Sequence, residues 1–264
     1  QGTISDLERN VLDSINGKAG AADIPNILAA YGDTAYQVDK LGYAVDLNKY
    51  FSKDELSKYV DGYLEEGHFS SKDTLKIFPV AKSVELFMLN KTDWEKFANA
   101  TGASTNDLNT IEGVTKVAEQ YYNWTDSLTA APNDGKAFFG RDAFANYMLV
   151  GYRQLATDIF SKKDNKIVLN FEADIAKKLW DNYYVPYISG YFSSSGKFRS
   201  DDIKIGNILA CVSSSSSVTY FPKEVILNDE ESHSIELETF ACPKFKDGKD
   251  YVVQQGAGMV VLKS

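Results

Sequence analysis

Ile77-Phe78-Pro79-Val80-Ala81-Lys82-Ser83-Val84-Glu85-Leu86-Phe87-Met88-Leu89-Asn90-Lys91 is an apolar run broken by one proline and one polar pair. Its first half is extended. Pro79 lacks the amide that a sheet ladder needs, which confines that point to a strand edge or a crossing. Asn90-Lys91-Thr92-Asp93-Trp94 reads as a turn into a helix. A strand entering a second lobe through Pro79 and Lys82-Ser83 is what a two-lobed, hinged protein needs.

Upstream, Ser5-Asp-Leu-Glu8 has the form of a capping box, and Leu7, Val11, Leu12 and Ile15 follow at helical spacing. Asp23 to Ala30 is a short apolar strand that runs into Tyr31-Gly32-Asp33, where Asp33 can cap a helix carrying Tyr36, Val38 and Leu41. Strand, short loop and helix form the α/β unit, whose strand ends face a ligand crevice. Ser52-Lys-Asp-Glu55 is a second capping box.

Downstream, Trp94 to Phe97 reads as a short helix, and Asn109 to Glu112 caps a longer one bearing Val114, Val117 and Tyr121. Residues 125 to 136 form a loop. A helix is expected to open at Gly140-Arg141-Asp142, with Phe144, Met148, Leu149, Tyr152, Leu155 and Ile159 inward. Phe171, Ile175, Leu179, Tyr183 and Tyr187 recur at four-residue steps, which predicts one amphipathic helix ending near Pro186. Ile203 to Val212 reads as a strand buried on both faces, emptying into Ser213 to Ser217 and continuing as Val218 to Pro222. Ile235 to Pro243 alternates as a strand returning to the first lobe, and Gln254 to Gly258 joins two more strand segments.

The totals exclude several classes. At 264 residues the chain can bury one large core or two modest ones. It contains no run of about 18 apolar residues, the length that spans a bilayer. A net charge of -9 argues against nucleic acid, which demands clustered Lys and Arg. With His68 and His233 the only histidines, and no Cys-x-x-Cys, a catalytic triad or a metal site has few candidate residues. Neither cofactor nor metal is expected. Cys211 and Cys242 read as two buried free thiols, while their spacing leaves a single bridge open.

Phe78-Pro-Val-Ala81, with Asn90-Lys91 behind it, resembles the first inter-lobe crossing of the extracellular solute-binding proteins of ABC importers, in the branch that binds maltose-type sugars and glycerol phosphodiesters. Residues 140 to 155, 208 to 222 and 253 to 262 carry further points of similarity, and element order matches over most of the chain. The resemblance implies an α/β, two-lobed periplasmic-binding-protein-like fold of type II, each lobe a sheet flanked by helices. Lobe one would hold residues 1–80 and 242–264, and lobe two 84–238, with hinge crossings at 78–84 and 238–243. It also implies that both ends of the chain are trimmed, since family members open with an earlier strand and helix and continue with further helices. The expected function is capture of a sugar or oligosaccharide, or a glycerol-phosphate-type solute, in a cleft that closes on it for delivery to an ABC permease. The expected setting is the outer side of the cytoplasmic membrane or the periplasm. Membrane association would come only through a lipid anchor absent from this chain, and a monomer is expected. The Asn-x-Thr triplets at Asn90, Asn99 and Asn123 would be accidental in a bacterial host.

A solute cleft needs polar groups that replace water around hydroxyls, flat apolar faces and loops that allow close approach. Tyr31-Gly32-Asp33 supplies all three, or simply caps a helix. The serine run can coordinate a polyol; Ser213, Ser214 and Ser215 sit where the family places the second lobe's binding turn, with Tyr220 behind. Lys82, Ser83 and Glu85 in the crossing can reach a ligand, although Ser83 stands where maltose-type relatives have a carboxylate. Arg141 either pairs with Asp142 or another acid, or clamps an anionic or hydroxylated ligand. Gly256 and Ala257 form either a cleft loop or a tight turn. No catalytic residue is expected, because none of the 37 acids falls in a motif that singles out an acid and a nucleophile. The rival readings are a secreted carbohydrate-active enzyme and a carbohydrate-binding module.

Overall fold

The computed structural model describes residues 4–164 and 166–263, so the outermost residues of the first lobe as expected above, 1–3 and 264, lie outside the described residues. The chain divides into two compact units, Gln1–Ser83 with Gln254–Ser264, and Val84–Val253. The first changeover falls at Ser83–Val84. The return falls at Val253–Gln254, C-terminal to the expected 238–243, because the segment after Cys242 packs into the larger unit. Phe245 is fully buried there, and its amide donates to Gln154 Oε1 at 3.1 Å.

In the smaller unit the strand Ile27–Ala30 pairs antiparallel with Gly258–Val261, placing Ile27 opposite Val261 and Ala30 opposite Gly258. Phe78 and Met259 exchange backbone hydrogen bonds of 2.9 and 2.8 Å beside this ladder. Ahead of Pro79, which has no amide to give a ladder, there is only this isolated bridge at Phe78, and the strand itself opens at Ser83. Helices Ile4–Ile15 and Gly32–Lys40 cover the ladder through Val11, Ala35 and Val38. The first helix already begins at Ile4, so Ser5 lies inside it and Glu8 instead accepts from Thr34 Oγ1 at 2.7 Å. The second helix is capped at Tyr31 without a side-chain bond, and Asp33 sits within its first turn. The capping box at Ser52 and Glu55 is present.

In the larger unit the strands Leu237–Ala241, Ser83–Asn90, Ala210–Ser214 and Phe139–Arg141 lie side by side in that order. Ser83–Asn90 is antiparallel to both neighbours, and Phe139–Arg141 is parallel to Ala210–Ser214. Strict alternation divides the strand residues between two cores. Phe87, Leu89, Ala210 and Val212 face helices Lys91–Thr101 and Ile111–Asp126 through Trp94, Phe97, Val114 and Tyr121. Met88 and Cys211 face Ile203, Phe221, Val225 and Ile235. Asn90 caps the first of these helices, accepting from the Asp93 amide at 3.1 Å.

Four sequence expectations change. Gly140-Arg141 ends a buried strand, and the next helix opens only at Phe144. A Cβ on Gly140 would lie 2.5 Å from the Ser193 carbonyl oxygen, so the glycine serves close packing. Ile203 to Val212 splits into the end of helix Arg199–Lys204, a turn at Gly206 with φ 69°, and the strand from Ala210. Val218 to Pro222 does not continue a strand, since a 3-10 turn occupies Ser215–Tyr220. The expected helix over 171–187 is two, Ala173–Asp181 and Tyr184–Ile188, broken where Tyr183 leaves helical geometry at φ -135°. Phe171 and Leu149 point outward, and an exposed hairpin pairs Phe160–Lys163 with Lys166–Leu169.

Candidate functional site

The carboxyl ends of the parallel strands Phe139–Arg141 and Ala210–Ser214 leave the sheet on one edge, and the register sets Glu85 opposite Ser214 there. In α/β sheets such ends are where loops can gather polar groups around a ligand. Glu85, Arg141, Asp142, Ser213, Ser214 and Ser215 therefore converge in the larger unit, as neighbours in the sheet and not in sequence.

Two of them are spent on each other. Arg141 and Glu85 are buried, with guanidinium and carboxylate 3.6 Å apart, and Asn146 donates to the other Glu85 oxygen at 3.0 Å. The Arg141 guanidinium also lies 5.2 Å from the centre of the Tyr147 ring. Removing either charge would strand the other in a dry site, so this pair holds the strand ends in place. Arg141 thus takes the acid-paired option, with Glu85 and not Asp142 as its close partner.

Asp142 joins the serine turn to a second buried pair. It accepts from Ser213 Oγ at 2.5 Å and from the Arg199 amide at 2.8 Å. Ser217 Oγ lies 2.8 Å from Ser213 Oγ. Arg199 reaches Asp202 at 2.6 Å, and Asp202, wholly buried, also accepts from Ser195 Oγ and the Gly196 amide. Arg199 and Asp202 were invisible in the sequence, because their spacing within one helix looks like an ordinary surface pair. Ser213 is buried, whereas Ser214, Ser215 and Ser217 are half-buried and Tyr220 stands out at 77% exposure.

Two pockets flank this edge. One, of ≈ 690 Å³, carries charged groups of both signs, Asp142, Asp201, Glu224, Lys204 and Lys223, with Ser217 and Tyr220. The other, of ≈ 580 Å³, is walled by Phe144, Trp180, Tyr183, Tyr184 and Tyr187. Both fall in the size range of small-molecule sites, roughly 300–1,000 Å³. The aromatic wall was missed because Tyr183 and Tyr187 were read as inward on one helix and Phe144 as inward on another, while Trp180 and Tyr184 fell off the four-residue pattern.

The smaller unit gathers its own group around a residue the sequence did not flag. Glu66 pairs with Lys82, whose side chain is 2% exposed, and Lys82 also donates to the Gly256 carbonyl at 2.8 Å. A Cβ on Gly32 would approach Glu66, and one on Gly256 would meet the Ala81 carbonyl oxygen at 2.7 Å. Gly256 holds φ 108°, a conformation that only glycine adopts readily. Gly32, Lys82 and Gly256 thus meet around one carboxylate, with Tyr31 and Asp33 on the same helix start and Ala257 next in chain. Ser83, half-buried, opens the central strand.

Cys211 and Cys242 are free. Burial raises both thiols, Cys242 to about 12, with Arg141 opposing the rise and Glu85 adding to it. Among the described residues no group of three His, Cys, Asp or Glu side chains is placed to hold a metal ion. Among those residues, too, no helix is long and apolar enough to cross a membrane.

A family model described as bacterial extracellular solute-binding protein matches residues 2–264. The chain belongs to this family. The fold is that of the two-lobed periplasmic-binding type, shared with three solved solute-binding proteins. UgpB from Mycobacterium tuberculosis, solved with glycerophosphocholine, superposes with a TM-score of 0.74 at 14% identity, over 98% of this chain and 62% of its own. The GacH receptor of Streptomyces glaucescens, solved unliganded and with acarbose, gives 0.71 at 10%, over 98% and 61%. The galacto-N-biose/lacto-N-biose I-binding protein of a Bifidobacterium longum ABC transporter, solved with lacto-N-biose, gives 0.67 at 15%, over 100% and 60%. This solute-binding protein therefore spans about three fifths of the length of those structures. No curated protein matches the chain.

Proposed function

We propose that this protein captures a sugar or oligosaccharide outside the cytoplasmic membrane and delivers it unaltered to the permease of an ABC importer. The observation that carries this reading is the sheet edge where Asp142 and the Ser213–Ser217 turn open onto a pocket of mixed charge beside an aromatic one. Hydroxyls, a carboxylate and flat rings together suit a ligand whose rim is polar and whose ring faces are apolar. The matched structures, two of them solved with sugars and one with a glycerophosphodiester, lend support.

Ser214, Ser215 and Tyr220 are the proposed contacts of the larger unit, with Asp142 and Ser213 fixing the turn and Glu85 and Arg141 bracing the strand ends. Tyr31, Gly32, Asp33, Lys82, Ser83, Gly256 and Ala257 are the proposed binding surface of the smaller unit. A glycerol phosphodiester is the second reading, for which one matched structure solved with glycerophosphocholine speaks, while Asp142, Asp201 and Glu224 beside Lys204 and Lys223 in the pocket oppose an anion. The protein acts as a monomer, either lipid-anchored or free in a periplasm.

Isothermal titration with neutral oligosaccharides and glycerophosphodiesters tests the proposal, with each ligand analysed afterwards. Saturable binding of a sugar recovered intact supports it. Conversion of the sugar would make the protein an enzyme and overturn it.

A further inference from the structure

The hairpin of Phe160–Lys163 and Lys166–Leu169 borders neither of the pockets described above. It pairs with no other strand, and every residue of its two strands is exposed. Asn170 clamps its base: the backbone amide donates to the Ile159 carbonyl and the side chain to the Asp158 carbonyl, both at 2.8 Å. The register sets Phe160 opposite Leu169 and Lys162 opposite Ile167, so these four side chains share one face. On that face Phe160 is 54%, Ile167 73% and Leu169 57% exposed, and Phe171 just beyond is 69% exposed. Phe160 also borders an open groove of ≈ 300 Å³ with Leu149, Tyr251 and Val252, which extends the apolar surface. No ion pair among the described residues engages Lys162, Lys163 or Lys166, whereas the nearby Asp158 is held by Arg153.

We propose that this hairpin docks on an anionic lipid surface, with Ile167 and Leu169 entering the headgroup layer and the three lysines meeting lipid phosphates. Single exposed apolar residues are ordinary, but a contiguous set on an element with no core of its own marks a contact surface. Charge names the partner. The hairpin carries three lysines against one acid, Asp164, in a chain of net charge -9. Charges beyond about 8 Å are largely screened at physiological salt, so a lipid surface meets this local excess of cations and not the chain's total. The same lysines disfavour a second copy of the chain as the occupant, because lysine on a sheet edge blunts edge-to-edge pairing. The sequence tied membrane association to an anchor alone. The hairpin adds a contact made by the folded chain itself, whatever solute the protein carries.

The test is co-sedimentation of the protein with vesicles of phosphatidylcholine alone and of equimolar phosphatidylcholine and phosphatidylglycerol, at low and high salt. The proposal expects binding to the mixed vesicles only, weakening as salt rises. Two variants divide the contact, Ile167→Ser with Leu169→Ser, and Lys162→Glu with Lys163→Glu and Lys166→Glu. Each should bind mixed vesicles at least about tenfold more weakly, since one lysine near such a surface contributes about fivefold. All five side chains are exposed, so both variants should melt like the parent. In a second readout, Ile167→Cys labelled with a polarity-sensitive dye should shift its emission to the blue on mixed vesicles; burial keeps Cys211 and Cys242 from taking the label. Failure of the parent to bind mixed vesicles, or equal binding to both kinds, overturns the proposal. Binding unchanged in either variant overturns the hairpin's part in it. Dimerisation of the lipid-free protein that is lost in the Ile167→Ser and Leu169→Ser variant assigns the face to a second copy and also overturns it. Solute titration should be the same in both variants, so failure here leaves the function proposed above standing.

Discussion

Asp202 shows how a single side chain can fix a site it need not touch. Wholly buried, it holds Arg199, whose amide in turn positions Asp142 beside Ser213. Asp202→Ala leaves the guanidinium unpaired in a dry site, and unfolding in urea should show a loss of about 3–5 kcal/mol. A loss under about 1 kcal/mol would mean that water reaches the pair and that it is an ordinary surface bridge. Asp93 gives a pH prediction. Burial opposes its ionisation, but hydrogen bonds from Lys96, His233 and Asn90 outweigh burial and hold it below the usual carboxylate value. Its contribution is therefore present above the unfolded value of about 3.9 and fades as pH falls through the lower folded value. Denaturation midpoints measured from pH 7 downward should drop below about pH 4 in the parent, and less steeply in Asp93→Asn. Identical slopes would remove Asp93 from the account. The two cysteines titrate the other way, since burial keeps both thiols protonated. At pH 8 an alkylating reagent should modify them at least about 100-fold more slowly in the native protein than in guanidinium.

At the scale of elements, the reach of sequence reasoning follows the physics of each segment. Asn90 as the turn into a helix and the Ser52–Glu55 box were legible because capping is local. The central strand was legible because both its faces are buried and the run is nearly all apolar. Ile203–Val212 misled for the same reason, since a short apolar helix end and a buried strand give the same run of letters, and only Gly206 separates them. The break at Tyr183 was hidden by a four-residue periodicity that continues across it. The pairing of Glu85 with Arg141, and of Lys82 with Glu66, could not be read at all, because tertiary structure alone brings them together. Gly258 offers a test of the ladder in the smaller unit. A Cβ there would lie 2.2 Å from Ile77 Cγ2 and 2.9 Å from the Phe78 carbonyl oxygen. Gly258→Ala should cost about 1–3 kcal/mol by forcing these strands apart. An unchanged melting temperature would mean that the ladder yields freely.

At the scale of the molecule, the family and the fold follow from the match over residues 2–264 and from the shared architecture of the solved relatives, while the choice of solute rests on side chains. The resemblance at Phe78–Lys91 led to the fold, yet the groups that open onto the pockets come from loops where sequence carries little positional information. The central claim is reversible capture of a sugar-type solute. Its most direct test is the melting temperature of the purified chain, measured against rising concentrations of neutral oligosaccharides and glycerophosphodiesters. A bound solute at about 100 times its Kd adds about 2.7 kcal/mol to stability, which should raise the melting temperature by several degrees in a concentration-dependent way. At least one neutral oligosaccharide is expected to produce that shift and to be recovered unchanged. A melting temperature that no solute of either class moves would contradict the account.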